Sequence, residues 1–214
     1  MKRMRRLFLL LISMTVYVAG ISELSAAGTP AESVRSTVDA VINTLKDQHF
    51  SQPGKKQERR EKMRALINDR FDFEEMAQRS LARHWQPRTS AEKKEFVEVF
   101  SDLIESSYIG KIELYTDEKI TYDRETLKGD GKYSVVSTTV ITKNVNIPIE
   151  YKLILKNNKW WVYDVTIEGV SFISTYREQY NKIIVKESFD GLMKKMRSKL
   201  EEIKTLEEQD SAKS

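Results

Sequence analysis

Apolar residues in the first half of the chain recur with the period of an α-helix. The first such helix has one apolar face, formed by Val34, Val38, Val41, Ile42 and Leu45. The same spacing predicts helices at about 55–68, 72–85 and 90–115. Thr89-Ser90-Ala91-Glu92 matches a capping box at the start of the last of these. The N-terminal half is therefore predicted to be helical.

From residue 117 onward the apolar residues alternate, as in β-strands with one covered face. The third strand presents Ile147, Ile149, Tyr151, Leu153 and Leu155 on one face, and the fourth presents Trp161, Tyr163, Val165 and Ile167. Earlier strands are predicted at 117–125 and 132–143, and helical spacing returns from Phe172. The pattern predicts an α+β fold, in which a helical N-terminal half packs on a four-stranded antiparallel sheet, followed by C-terminal helices.

The N-terminus has the three parts of a secretory signal peptide. Residues 1–6 are cationic, residues 7–21 are apolar, and the small residues Ser25-Ala26-Ala27 follow. We predict cleavage near Ala27 and a periplasmic location, with an uncleaved anchor as the alternative. Residues 28–204 are predicted to form one domain, and residues 205–214 a flexible polar tail.

The charge of the chain argues against a nucleic-acid partner. The formal net charge of the 214 residues is +4, and residues 1–27 carry +3 of it, so the mature chain carries +1. A domain this close to neutral has no strong field to attract phosphates. The chain also has no cysteine, which excludes disulfides and thiol chemistry.

No pattern in the chain indicates catalysis. The two histidines, His49 and His84, are not in a metal-ligand spacing, and no phosphate-binding loop or nucleophilic serine elbow occurs. We therefore predict no catalytic residue, no metal and no cofactor. A small-molecule enzyme would need a buried aspartate or histidine at a cavity floor, and Asp164 lies on the polar face of its predicted strand.

Two segments, residues 71–85 and 160–172, resemble the MlaC family, also called the toluene-tolerance auxiliary family. The segment from Tyr176 to Asn181 is similar to a Tyr-Arg-x-Gln-aromatic motif of that family, and Phe189-Asp190-Gly191-Leu192 resembles its closing helix. The resemblance covers about residues 32–203 in the same order.

The resemblance implies a monomeric periplasmic carrier with an internal apolar cavity for lipid. Such carriers pass a phospholipid between an outer-membrane lipoprotein complex and an inner-membrane complex of an MCE-domain protein and an ABC transporter, which maintains outer-membrane lipid asymmetry. We expect the sheet and the helix at 90–115 to enclose the acyl chains. The candidate lipid-binding residues are Phe100, Ile104, Tyr108, Ile149, Tyr151, Leu153, Trp161, Tyr163, Val165 and Phe172.

Several alternatives remain open at this stage. The family includes a branch associated with hopanoids, so the cargo is a phospholipid, a hopanoid or another apolar lipid. A small-molecule enzyme on a cone-shaped α+β fold is a second reading, because fold does not fix function. Two further alternatives are a chaperone for the acyl chains of lipoproteins and a membrane-tethered structural subunit.

Overall fold

The structure, a computed structural model, describes residues 28–212. The predicted signal peptide lies outside the described residues. Helices and strands follow one another in the predicted order, with a helical first half, a sheet and two closing helices. The helices are α1 (Pro30–Lys46), α2 (Lys56–Asn68), α3 (Phe73–Leu81), α4 (Ser90–Ile112), α5 (Phe172–Glu187) and α6 (Phe189–Ala212).

Side-chain caps define where the helices begin. The Thr89 hydroxyl accepts from the Glu92 N–H at 3.2 Å, and the Glu92 carboxylate accepts from the Thr89 N–H at 2.7 Å. This confirms the predicted capping box of α4. Thr29 and Glu32 form a second capping box at α1. Each cap satisfies backbone N–H groups that the first helical turn leaves unpaired.

The sheet is antiparallel, with its strands in sequential order. Its strands are β1 (Lys119–Lys128), β2 (Tyr133–Ile141), β3 (Asn146–Lys156), β4 (Lys159–Ile167) and β5 (Val170–Ser171). The prediction of four strands is therefore wrong by one. The fifth strand has only two residues, which is too short for an alternating pattern. Asn157 and Asn158 form the turn between β3 and β4, and both have positive φ angles, as a tight hairpin turn requires.

A β-bulge in β4 changes which side chains share a face. Lys152 pairs with Asp164 and Leu153 pairs with Val162, so Tyr163 has no partner on β3. The extra residue reverses the alternation at that point. Val162 and Val165 consequently lie on the same face, which we call the inner face. The prediction that Tyr163 shares a face with Val165 is therefore wrong.

Two hydrophobic cores hold the helices and the sheet together. The first joins α3, α4, α5 and α6, and in it Phe96 meets Tyr180 edge to face at 5.8 Å between ring centroids. The second joins α1 to the inner face, where Val34 packs with Val136 and Val162. The helices thus cover the inner face of the sheet, as one-sided alternation predicts.

The C-terminal segment of the described chain is helical up to Ala212. Residues 205–212, predicted from their polar composition to be part of a flexible tail, form the last turns of α6. Glu207 forms an ion pair with Arg60 of α2 at 2.9 Å, which connects the end of α6 to the rest of the domain. Among the residues that the structure describes, no helix is both long and apolar enough to cross a bilayer.

Candidate functional site

An apolar cavity of about 610 Å³ lies between α1, α4 and the inner face of the sheet. Its volume is in the range of cavities that enclose small-molecule ligands, about 300–1,000 Å³. Most of the side chains around it are aliphatic or aromatic. A ligand in the cavity would therefore contact mainly apolar side chains.

Cross-strand pairs form the sheet wall of the cavity. Ile149 of β3 lies opposite Ile167 of β4, and Tyr151 lies opposite Val165. Directly opposite residues of two strands point to the same side, so each pair presents a continuous apolar surface. The same wall is extended by Ile120, Val140, Ile147 and Val162.

The helices supply the other walls. The apolar face of α1 that the sequence predicts lies against the cavity, and Ile104, Tyr108, Ile109 and Ile112 of α4 face it. Tyr108 stacks on Phe172, the first residue of α5, at 4.5 Å between ring centroids. This stacked pair joins α4 to α5 at the cavity wall. The α1 residues that line the cavity are Val34, Val38, Val41, Ile42 and Leu45, together with Thr37.

The cavity opens between the C-terminal end of α4 and the edge of the sheet where β2 turns into β3. Leu114, which follows α4, lines the cavity and is 74 % exposed, and Thr142 lines it from the β2–β3 turn. Lys111 and Glu118 add charged groups there. We call this region the mouth. At the opposite end Val34 and Val162 are buried, so the cavity is closed there.

Two ionisable side chains of the cavity wall are shifted toward their neutral forms. Burial raises the pKa of Tyr151 to about 12, despite a hydrogen bond with Thr138 that acts in the other direction. Burial also raises the pKa of Glu105, while a hydrogen bond with Asn68 and the charge of Arg64 oppose that shift. Both shifts follow from removing a charged form from water. For Glu105, the shift makes protonation of the carboxyl easier than it is in water.

Six of the ten candidate lipid-binding residues line the cavity. They come from α4, β3, β4 and the start of α5, which are the elements that the prediction brought together. They are Ile104, Tyr108, Ile149, Tyr151, Val165 and Phe172. Their role in binding a lipid remains a prediction.

Four candidates do not line the cavity. Trp161 and Tyr163 lie on the outer face of β4 because of the bulge, and the guanidinium of Arg79 lies 4.2 Å from the ring centroid of Tyr163. Phe100 is fully buried in the helical core, beside Phe96 and Tyr180. Leu153 faces inward but is fully buried in the core at the closed end.

The sequence reasoning missed the contribution of α1. The apolar face of α1 was predicted from the sequence, but periodicity does not show which part of the protein packs against that face. The structure shows that α1 runs along the sheet, since Lys46 at its end forms an ion pair with Asp117 and the N–H of Ala31 at its start donates to Glu125. The helix thereby becomes one long wall of the cavity.

Asp164 is buried, but it lies outside the cavity and has its oxygens occupied. It accepts from Lys152 at 2.8 Å, from the Ser171 hydroxyl at 2.7 Å and from the N–H of Ile173 at 3.2 Å. These bonds tie β4 to the start of α5. Within residues 28–209, no group of three or more histidine, aspartate or glutamate side chains is placed to hold a metal ion.

The structure is an α+β domain with an apolar cavity between its helices and its sheet. A model of the MlaC protein family matches residues 35–198, and the chain belongs to that family. It is 31 % identical over 113 residues to the intermembrane phospholipid transport system binding protein MlaC of Haemophilus influenzae, and spans about half the length of that curated relative (53 %). The match covers 50 % of this chain.

A solved structure shares the fold. It is a phospholipid-binding protein from Ralstonia solanacearum in complex with a phospholipid, which superposes with a TM-score of 0.74 at 23 % identity. The match covers 84 % of this chain and 99 % of that protein. The likeness extends over nearly all of the described α+β domain.

Proposed function

We propose that this protein is a periplasmic phospholipid carrier that holds acyl chains in the cavity and has no catalytic activity. The observation that carries the proposal is an apolar cavity of about 610 Å³ that is open at one end and closed at the other. Such a shape accepts a chain by its methyl end and leaves a polar headgroup at the mouth, near Lys111 and Glu118. Membership of the MlaC family and the names of the two relatives support the same ligand.

The energetics of lipids require a carrier of this kind. A two-chain phospholipid has on the order of 30 methylenes, and exposing each to water costs about 0.8 kcal/mol. Free diffusion across an aqueous compartment is therefore negligible. A cavity that replaces the bilayer interior brings the bound lipid close in free energy to the membrane. The lipid is then able to leave or enter without a chemical step, and its direction depends on the partners.

The partners that we propose are two membrane complexes. One is an outer-membrane lipoprotein complex, and the other is an inner-membrane complex of an MCE-domain protein and an ABC transporter. Shuttling a phospholipid between them would maintain the lipid asymmetry of the outer membrane. Family membership supports these assignments.

The proposed location depends on removal of residues 1–27. We expect the exported protein to begin at Gly28, because the small residues before it fit a signal peptidase site. Intact-mass measurement of the protein from the periplasmic fraction tests this. A mass that includes the first 27 residues would instead favour a membrane-tethered subunit.

A transfer assay tests the carrier function. Donor vesicles containing a fluorescent phospholipid are separated from acceptor vesicles by a membrane that this protein passes and vesicles do not. We expect the fluorescence of the acceptor vesicles to increase at a rate proportional to the protein concentration. The proposal fails if the rate equals that of the spontaneous transfer measured without protein.

The alternative cargo is a hopanoid, which is rigid where an acyl chain is flexible. Aromatic rings at the cavity wall, such as the Tyr108–Phe172 pair, pack well against either type of apolar surface. Competition decides between them. If a hopanoid displaces bound phospholipid at equal concentration and phospholipid does not displace a hopanoid, the hopanoid is the preferred cargo.

A further inference from the structure

A second cavity, of about 530 Å³, lies on the other side of β4 from the apolar cavity. It is formed where the outer face of β3 and β4 meets α3 and the start of α5. The two cavities share no lining residue, because Tyr163 and Asp164 lie on the outer face whereas Val162 and Val165 lie on the inner face. The bulge brings Tyr163 to this side, and bulges commonly redirect a side chain beside a functional site. We call this second cavity the outer pocket.

The outer pocket is lined by cationic side chains from three elements, which are Arg79 of α3, Lys152 of β3 and Arg177 of α5. Among the described residues that line it, Asp164 is the only acid. Three positive charges against one negative charge give the lining a net charge of +2. The wall of the apolar cavity, in contrast, is mostly aliphatic and aromatic. The outer pocket is therefore suited to an anion and not to an acyl chain.

Two of these cations keep hydrogen-bond donors that the described chain does not use. No described carboxylate lies within ion-pair distance of Arg177, and its guanidinium donates to the Ser174 hydroxyl at 3.3 Å. Arg79 directs its Nε and Nη2 to Glu75 at 2.8 and 2.6 Å, and its Nη1 makes no hydrogen bond within residues 28–209. The N–H groups of a guanidinium match the oxygens of a phosphate or a carboxylate.

The carboxylates next to the outer pocket hold its cations in place. Asp164 is buried, and its Oδ2 accepts from the Lys152 ammonium at 2.8 Å. An ammonium has three N–H donors, so Lys152 keeps two for a ligand. Glu75 accepts from Lys156 at 2.7 Å as well as from Arg79. Each carboxylate is thus already paired with a cation, which limits its repulsion of an incoming anion.

The backbone at the edge of the outer pocket is strained. Ala82, which lines the pocket at the end of α3, has a φ of 48° and a ψ of −118°. Residues other than glycine rarely adopt a positive φ, and such strain persists only where the surrounding structure holds it. The Ala82 carbonyl accepts from the N–H of Trp85, a second lining residue, at 3.1 Å. Strained residues cluster at ligand sites, which is an indication independent of charge.

We propose that the outer pocket binds a polar ligand that carries a phosphate monoester, with Arg79, Lys152 and Arg177 contacting the phosphate. A phosphate monoester carries about −1.5 to −2 charges at pH 7, which matches the net charge of the lining. The pocket is larger than a bare phosphate ion, and the amides of Gln78 and Gln86 offer partners to hydroxyl groups on the rest of the ligand. This inference goes beyond the proposed function and does not rest on it, because β4 separates the outer pocket from the apolar cavity.

An NMR titration of the ¹⁵N-labelled protein with sn-glycerol 3-phosphate tests the inference. We expect saturable binding to one site in the millimolar range or tighter, with the largest shifts at the amides of Ser174 and Arg177. Added salt should weaken the binding, because the contacts are ionic. Glycerol, which lacks the phosphate, should cause no such shifts. Wild-type protein that binds neither glycerol 3-phosphate nor inorganic phosphate in this range would overturn the proposal.

Arg177→Gln is the first variant, because Arg177 is exposed and its replacement leaves the core intact. We expect it to bind glycerol 3-phosphate at least about tenfold more weakly, since a charge-assisted hydrogen bond is lost. Lys186→Gln is the matched control, because it removes a charge from an exposed site on the same helix that does not line the pocket. An Arg177→Gln protein that binds like Lys186→Gln would contradict the proposal.

Two further variants separate a failure of this inference from a failure of the proposed function. Tyr163→Glu places a carboxylate beside Arg79, so we expect it to lose glycerol 3-phosphate binding and keep its lipid. Val165→Glu changes the apolar cavity, so we expect it to lose lipid and keep glycerol 3-phosphate binding. A folded variant that loses both ligands would contradict a separate site. Wild-type protein that binds glycerol 3-phosphate but never takes up lipid contradicts the carrier function alone.

Vesicles distinguish a soluble ligand from a lipid headgroup. Phosphatidic acid presents the same phosphate monoester at a bilayer surface. Flotation with vesicles of phosphatidylcholine and phosphatidic acid that Arg177→Gln weakens would assign the outer pocket to a lipid headgroup. Binding of glycerol 3-phosphate without flotation would assign it to a soluble phosphate ester.

Discussion

Val165→Glu is expected to lower the phospholipid content of the purified protein at least about tenfold while the domain remains folded. Val165 is 6 % exposed and lies opposite Tyr151 on the inner face of the sheet, at the cavity wall. A carboxylate placed there must either be buried against acyl chains or hold water in the cavity. Burying an unpaired charge costs several kcal/mol, and each 1.4 kcal/mol corresponds to a tenfold change in affinity. Extraction and mass spectrometry of the bound lipid measure the loss.

The matched control is Tyr163→Glu, two residues earlier on the same strand. Because of the bulge, this side chain points to the outer face, beside Arg79, where a carboxylate finds a positive partner. We expect normal lipid content in this variant. Ile149→Glu provides a second cavity variant at a less buried position. Folded Val165→Glu and Ile149→Glu proteins that keep full lipid occupancy would show that the inner face does not hold the lipid.

Glu113→Gln is expected to lower the free energy of unfolding by about 2–3 kcal/mol, because it removes one member of a buried charge cluster. The Glu113 carboxylate accepts from Arg59 at 2.7 Å and from two nitrogens of Arg60 at 3.0 and 2.7 Å. The side chains of Arg60 and Glu113 are only 8 % and 11 % exposed. Arg60 keeps Glu207 as a second partner, so the loss is smaller than for a fully isolated buried charge. Urea unfolding measures the change.

The effect of Glu113→Gln should depend on pH. Burial alone would raise the pKa of the Glu113 carboxyl, but hydrogen bonds and charges of Arg60 and Arg59 outweigh it and lower the pKa. A carboxyl with a lowered folded-state pKa contributes stability above its unfolded-state pKa and loses it as the pH falls through the folded-state value. The difference between wild type and variant should therefore shrink in acid.

The control for this cluster is Glu98→Gln, on the same helix. Glu98 and its partner Lys94 are 64 % and 80 % exposed, and exposed pairs contribute little. We expect no measurable change in unfolding. A Glu113→Gln protein as stable as Glu98→Gln would contradict the view that this cluster holds α2 to the end of α4, where the cavity opens.

Regular periodicity predicted most of the fold. The predicted starts of α3 and α4 lie within one residue of the observed starts, because N-cap residues such as Asp72 and Thr89 are recognisable in the sequence. The hairpin at Asn157-Asn158 is also a local signal, because its turn requires residues that tolerate positive φ. Strand β5 was missed because two residues carry no pattern. The helix at residues 205–212 was missed because its support comes from a distant contact, between Glu207 and Arg60.

The cavity was harder to predict than the fold. The bulge at Tyr163 depends on how β4 pairs with β3, and the local alternation from Trp161 to Ile167 contains no sign of it. Phe100 and Ile104 lie on the same stripe of α4, but the first meets the helical core and the second meets the cavity. A stripe of apolar residues indicates burial, whereas the division between packed core and open cavity depends on the tertiary arrangement.

Native mass spectrometry of the wild-type protein, purified without detergent and followed by lipid extraction, tests the central claim most directly. The account predicts a protein that carries phospholipid in a stoichiometric amount, released on denaturation and identified in the extract. A folded protein that contains no lipid, and that takes up none from phospholipid vesicles, would contradict it.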